Sequence, residues 1–455
     1  MLSENISTEI KKYISDFKND ILADIKRIVE IKSVYDENSV TDNAPFGKGI
    51  REVFDEFINI ANEKGFEVSD FDGYALDIRL GDFDEYIGIL NHLDVVDIKE
   101  NENWNTNPFE LTVVDEILYA RGVNDNKAPT IMSLYALYIA KIMKFPLKRQ
   151  IRLIVGGAEE SSWDCMKHYF SKNSQPIFGF SPDGDFPLVN GEKGMIKYKI
   201  NLGRYDDCII KEIIPKTYEN YVVYELDLKI DKSFYFNNKE KIRATFIKEN
   251  DFTVEIKYLG KSSLSRNPNR GINAIDLFLE DFIKIYDAEF IKQIYDKFYK
   301  LYNGDKLGIY SYDDEMGENT TCVTALYTEK SEIYINLDIR YVKSISKLSI
   351  ENKIMCNNFK EVCEINSKRL LFVDKNSKYI KDLAYAYEKV TGKNMEVFTK
   401  GAISYARALD VGVAFGPTFE GEIVNSHFEN ENMKISTILK ALEIYLISIY
   451  KLCCE

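Results

Sequence analysis

The stretch YIGILNHLDVVD, residues 86–97, decides how the chain is read. It opens with an apolar run of strand length, YIGIL, and turns polar at once through Asn91, His92 and Asp94. Two later runs repeat the pattern, IRLIV at 151–155 and IFGF at 177–180, and each also gives way directly to polar residues. Between the first two lies a helical stretch over 129–144, with Pro129 near the first turn, where a missing N–H is harmless. Upstream, Ile14, Phe17, Ile21, Ile25, Ile28 and Val29 recur at helical spacing and predict one amphipathic opening helix that ends near Ser33. Strands alternating with helices argue for an α/β sheet.

From about Gly191 the texture changes. Alternating segments such as TVEIKYLG (253–260) and EIYINLDIRY (332–341) predict antiparallel strands solvated on one face, and INAIDLFLEDFIKIY predicts a helix within 271–287. Strands with segregated helices read as α+β. After Leu371 the helical pattern resumes at 377–392 and closes with a helix over about 431–452. The expected fold is therefore α/β and two-domain: a catalytic α/β domain from residues 1–189 and 371–455, with an inserted α+β domain over 190–370.

The chain has 455 residues, more than one core usually organises, since a domain takes roughly 150. Its net charge of -14 disfavours nucleic acid and anionic membrane surfaces as partners. The start MLSENISTEIKKY carries charges where a signal peptide needs an apolar core, and no apolar run approaches a membrane span, so a cytoplasmic address is expected. The seven cysteines form no CxxC pair and read as reduced thiols.

Five runs carry the candidate chemistry: NHLDVVD (91–97), ARGVNDNKAP (120–129), GGAEESSW (156–163), SPDGDFP (181–187) and NSHFENENM (425–433). Most place carboxylates directly after a predicted strand or before a helix. In open α/β sheets, loops from several strands converge at the carboxyl ends, so His92, Glu159, Glu160 and Asp183 can share one crevice. Asp125 lies just before the helix, whose partly positive end favours an anion. Taken singly, an H-x-D at a strand end is ordinary and a Glu-Glu pair is usually a solvated edge. In a chain with only three histidines, His92, His168 and His427, two of them falling in these runs is informative. Hydrolytic zinc chemistry wants imidazole and carboxylate ligands, an open position for water and a free carboxylate to shuttle protons. His168, in DCMKHYF, reads as structural.

In order and spacing these runs resemble those of the co-catalytic zinc metallopeptidases that include aminoacylases, desuccinylases and carboxypeptidases, and most closely the bacterial dipeptidase V (Xaa-His dipeptidase-like) branch. GINA (271–274), SYARAL (404–409) and AFGP (414–417) extend the likeness over nearly the whole chain. The resemblance implies His92, Asp125 and Asp183 on one metal and Asp125, Glu160 and His427 on the other, with Asp125 bridging. It implies Glu159 as general base and Asp94 as the carboxylate that orients the His92 imidazole. Two divalent cations, zinc first with manganese and cobalt as alternatives, are implied. With three ligand carboxylates and a bridging hydroxide the centre comes to about zero net charge. The peptide bond after the bridging aspartate, here Asp125-Asn126, is cis in that family. The implied reaction is hydrolysis of the amide bond of dipeptides or related small amides through the metal-bound hydroxide, and the branch suggests a monomer.

The departures are specific. The family's inserted domain closes over the site as a lid and brings a histidine to the oxyanion, in a motif that reads GKSSLSRNPNRGINA here (260–274), with Leu264 at the histidine position. Leucine donates no hydrogen bond, and loss of one such donor costs on the order of a hundred- to a thousand-fold in turnover. The acidic partner after Asp125 is Asn126, the turn before SYAR carries Lys400, and Glu212 stands where the family has asparagine. All these changes are expected on the substrate side. Lys400, Arg340 in the DIRY strand, and Arg407 are the candidate grips for an anionic group. Two alternatives accompany this reading: a metal-binding homologue with little peptidase activity, because of Leu264, and a deacylase of N-acyl amino acids.

Overall fold

A computed structural model of the chain describes residues 4–99, 102–216, 218–401 and 404–455. The chain divides into two compact units. The first is built from Met1–Gly191, Leu371–Phe398 and Ile403–Glu455, the second from Glu192–Leu370 and Thr399–Ala402.

The first unit is organised by one sheet, in which Gln150–Gly156, Tyr86–His92, Phe178–Ser181 and Gly412–Ala414 lie side by side and run parallel. Val68–Phe71 and Ala75–Leu80 extend it antiparallel beyond Gln150–Gly156. Every residue of Tyr86–His92 is buried, the signature of a strand covered on both faces. Its register pairs His92 with Gly156, so the polar ends of both strands emerge on one side. The crossover helix Lys127–Ile142 starts two residues before Pro129, which falls in its first turn, and is buried almost all round rather than along one stripe. It lies in the same apolar core as the sheet and the closing helix Ile435–Cys454.

Two boundaries differ from expectation. The opening helix is two segments, Glu4–Asp16 and Lys18–Val29, meeting at Phe17, whose dihedrals leave the helical well although its N–H still reaches Tyr13 at 3.0 Å. The closing helix begins at Ile435 because Asn432–Lys434 pairs antiparallel with Ile117–Tyr119. Helical periodicity does not see a short strand taken up by a distant partner.

The second unit is α+β. One antiparallel sheet runs Thr320–Glu329, Glu332–Tyr341, Gly194–Arg204 and Glu361–Lys368, and another Ile210–Ile213, Glu225–Asp231, Thr253–Leu259 and Thr245–Glu249. Leu226, Leu228 and Ile230 alternate with half-exposed neighbours, as a sheet with one solvated face requires. The helices Ala274–Ile285 and Glu289–Phe298 share this unit's own core. Among the described residues no helix is long and apolar enough to cross a membrane, and all seven cysteines are free thiols.

Candidate metal centre

Three parallel strands deliver their polar ends to one place in the first unit. His92 is the last residue of Tyr86–His92, Glu159 and Glu160 follow Gln150–Gly156, and Asp183 follows Phe178–Ser181. Asp125 precedes the helix Lys127–Ile142, and His427 comes from the loop before Asn432–Lys434, with a left-handed backbone at φ 65°.

Asp125 is the centre of the group. Its Oδ1 lies 3.0 Å from His92 Nε2 and its Oδ2 3.0 Å from His427 Nε2. His427 Nε2 is also 2.8 Å from Glu160 Oε1, and Asp183 Oδ1 is 4.0 Å from His92 Nε2. Atoms bonded to one ion at about 2.0–2.2 Å stand about 3 Å or a little more apart, so this spacing suits shared coordination. His92, Asp125 and Glu160 each offer a ligand atom, all within 4.8 Å of one another. Two imidazoles and several carboxylates form a donor set that fits a divalent cation such as zinc, manganese or cobalt.

The electrostatics carry the same message. Burial together with Asp183 and Glu160 pushes the Glu159 carboxyl well above its ordinary range. Burial beside Asp125 lifts Glu160 to about 7, even though His427 pulls the other way. Burial opposes the charged form of His427, but hydrogen bonds that it donates to Asp125 and Glu160 outweigh this and raise the imidazole to about 11. So many acids in a small buried volume call for positive charge.

Each ligand is held from behind. His92 Nδ1 faces the Asp94 main-chain oxygen at 3.0 Å and the Asp94 carboxylate at 3.4 Å, an arrangement that puts the proton on Nδ1 and frees Nε2. The Asp94 carboxylate does more than orient this ring. It accepts the backbone N–H of Glu159 at 3.1 Å and of Glu160 at 2.9 Å, fixing the acidic pair to the histidine strand. The Tyr405 N–H donates to Asp183 Oδ2 at 3.0 Å, and the buried Tyr405 ring meets the His92 ring edge-on at 5.7 Å.

Glu431 is a residue that the sequence reading missed. Fully buried, it accepts N–H groups from Gly122 (3.1 Å), Asn124 (2.9 Å) and Asp125 (3.0 Å), and its charge is balanced by Arg121 at 3.0 Å. It is the clamp of the Asp125 loop. The available signal was a second acid four residues after His427, inside a run already singled out.

Asn126 corrects an expectation. It is not on the substrate side but buried beneath the ligand loops. Its side-chain oxygen accepts from Asn91 at 2.7 Å and its amide donates to the Pro182 carbonyl at 2.5 Å. An ionised aspartate could not make the second bond, which gives the asparagine a structural reason. The Asp125-Asn126 peptide bond is cis.

The remaining candidates belong to different elements. Arg407 is buried in the turn Tyr405–Ala408 of the first unit. Arg340 and Lys400 belong to the second unit, where the Arg340 Nε and Nη2 donate to Asp338 at 2.9 and 3.0 Å. Glu212 sits in the strand Ile210–Ile213 of that unit. His168 lies outside the cluster, 2.7 Å from Asp72 and stacked on Tyr74.

The family model described as peptidase family M20/M25/M40 matches residues 88–451. A Bacillus subtilis protein provisionally named dipeptidase YtjP is 31% identical over 464 residues, spanning 96% of this chain and 97% of its own length. A provisionally named dipeptidase of Staphylococcus epidermidis is also 31% identical, spanning 98% of this chain and 99% of its own. Among solved structures, human carnosine dipeptidase 1 superposes with TM-score 0.59 at 13% identity, with 98% of both chains covered. Aminoacylhistidine dipeptidase from Vibrio alginolyticus gives 0.57 at 13% identity, covering 95% of this chain and 96% of its own. These two structures bear on the fold alone. The matched span takes in all five runs that supply the cluster, and the chain is a hydrolytic enzyme belonging to peptidase family M20/M25/M40.

Proposed function

We propose that the chain is a metal-dependent dipeptidase cleaving the amide bond of dipeptides or related small amides. The observation that carries this reading is Asp125, which presents one carboxylate oxygen to His92 and the other to His427. In this reading His92, Asp125 and Asp183 hold one divalent ion and Asp125, Glu160 and His427 a second, with zinc first and manganese or cobalt as alternatives. When bound, such ions acidify water and polarise the scissile carbonyl.

The chain's own residues do the rest. Glu159 stands beside the ligands, and its buried carboxyl, pushed upward by Asp183 and Glu160, is suited to holding a proton. It takes that proton from the attacking water and returns it to the amine nitrogen that leaves. Asp94 keeps Glu159 in place through its backbone N–H and keeps His92 in the tautomer that offers Nε2. Residues 1–189 and 371–455 act as the catalytic domain and 190–370 as the lid that recognises substrate. Free thiols throughout suit a cytoplasmic setting, and a single chain acting on small peptides completes the reading.

Glu159→Ala is the test. Its turnover should fall by about 10²–10⁴-fold with bound metal unchanged by elemental analysis. Wild-type rates in that variant would remove Glu159 as the base, and less than one ion per chain under saturating metal would remove the two-ion arrangement.

One observation favours a second reading of low hydrolytic power. Leu264 occupies the position of the family's oxyanion-binding histidine; its backbone bridges to Tyr221 and its carbonyl accepts from Asn267 at 2.8 Å, but its side chain has no donor. Metal binding without hydrolysis across dipeptides and N-acyl amino acids would favour it.

A further inference from the structure

The loop that carries His427 is held by a buried charge network in the first unit. His427 is half-exposed, the least enclosed of the proposed ligands, and its backbone is left-handed. Both of its neighbours in sequence are caught by the segment that leads to Asp125. Asn124 Nδ2 donates to Ser426 Oγ at 2.9 Å, and Arg121 Nη1 donates to the Phe428 carbonyl at 3.2 Å. The same Nη1 meets Glu431 at 3.0 Å. One guanidinium therefore joins the backbone just after His427 to the clamp of the Asp125 loop.

Arg121 in turn depends on a third segment. Its Nη2 donates to Glu102 Oε2 at 3.1 Å, and the Trp104 indole N–H donates to that same oxygen at 2.9 Å. The Trp104 ring lies 5.1 Å from the guanidinium carbon. The Asn105 N–H donates to Asn430 Oδ1 at 2.8 Å, so this segment also touches the His427 loop directly. The side chains of Glu102, Arg121 and Glu431 are all buried. Loss of one partner in such a network leaves the others uncompensated, away from water. The planar fork of Arg121 directs one arm to the His427 loop and the other to Glu102. Without the Glu102 charge, the arm that aims at Phe428 loses its brace. His92 and Asp183, by contrast, stand at the ends of buried strands, and Asp183 is held by the Tyr405 N–H.

We infer that Glu102 and Arg121 are positioning residues for His427, and that they set the affinity of the second ion of the proposed pair while leaving the first unaffected. This rests on the two-ion reading and adds which of the two ions is the more readily lost.

The full chain, stripped of metal, is titrated with manganese(II) and followed by calorimetry and electron paramagnetic resonance. Wild-type protein should take up two ions, the second producing the spectrum of a spin-coupled pair. Glu102→Gln removes the charge at nearly constant shape. Its affinity for the second ion should fall by about tenfold or more with the first unchanged. At a manganese level that couples the wild type, the variant should show the spectrum of an isolated ion. Trp104→Phe keeps the ring but removes the indole N–H, and should weaken the same ion by less; it carries the test if Glu102→Gln does not fold. His427→Ala should bind its remaining ion equally well with and without Glu102→Gln, because the network acts through that ring. Unchanged second-ion affinity in the Glu102 and Trp104 variants, an equal loss of both ions, or a further loss when Glu102→Gln is added to His427→Ala would overturn the inference. Uptake of a single ion by saturated wild-type protein would sink the two-ion reading and the inference with it, a result distinct from two ions weakened alike.

Discussion

The strand ends around Asp125 and the segment 260–274 show opposite treatments of charge. Around Asp125 acids crowd together on supported loops: Glu431 clamps the Asp125 loop, Asp94 binds the backbone of the acidic pair, and Tyr405 holds Asp183. In 260–274 a donor is replaced by Leu264 and a cation, Arg266, stands beside another cation. The first arrangement is complete in itself but for cations. The contrast teaches that the groups proposed for bond breaking are kept while the segment that the family resemblance assigns to the substrate is rewritten, as a change of substrate would demand.

The largest expected effect tests the rewritten half. Leu264→His restores a donor and should raise dipeptide turnover, by up to about a hundred- to a thousand-fold if oxyanion stabilisation is limiting. An unchanged kcat in a properly folded variant would mean that another group already serves the oxyanion, and the contrast would weaken. A smaller effect is expected in the kept half. Glu431→Gln replaces an acceptor of backbone N–H groups with an amide, so the Asp125 loop should loosen and metal affinity should fall by about 10–100-fold. Titration of metal into the stripped protein measures this, and wild-type affinity would show that the loop needs no clamp. The smallest effect belongs outside both regions. His168→Ala breaks a contact with an exposed Asp72 and should give at most a small downward shift in melting midpoint at constant activity. A loss of metal or turnover in that variant would break the boundary drawn around the site.

The architecture was legible because its signals are local. YIGIL, IRLIV and IFGF are contiguous apolar runs, and their parallel pairing places their polar ends together. The proposed ligands were named from motif resemblance, and geometry then brought His92, Asp125, Glu160 and His427 into direct contact. Glu431 stayed hidden because its partners are backbone N–H groups some three hundred positions earlier, which no side-chain pattern encodes. Asn126 was misplaced because a missing acid suggested substrate contacts, whereas the amide is needed for the Pro182 carbonyl.

The position of His427 has a consequence for how the protein is made. A ribosome releases the chain from its N-terminus, so the strands carrying His92 and Asp183 emerge long before the loop that carries His427 and Glu431. Until that loop arrives, Asp125 lacks both its second imidazole and its clamp. A half-synthesised chain therefore lacks two of the residues that complete the proposed centre, which in this reading can form only when synthesis is nearly finished.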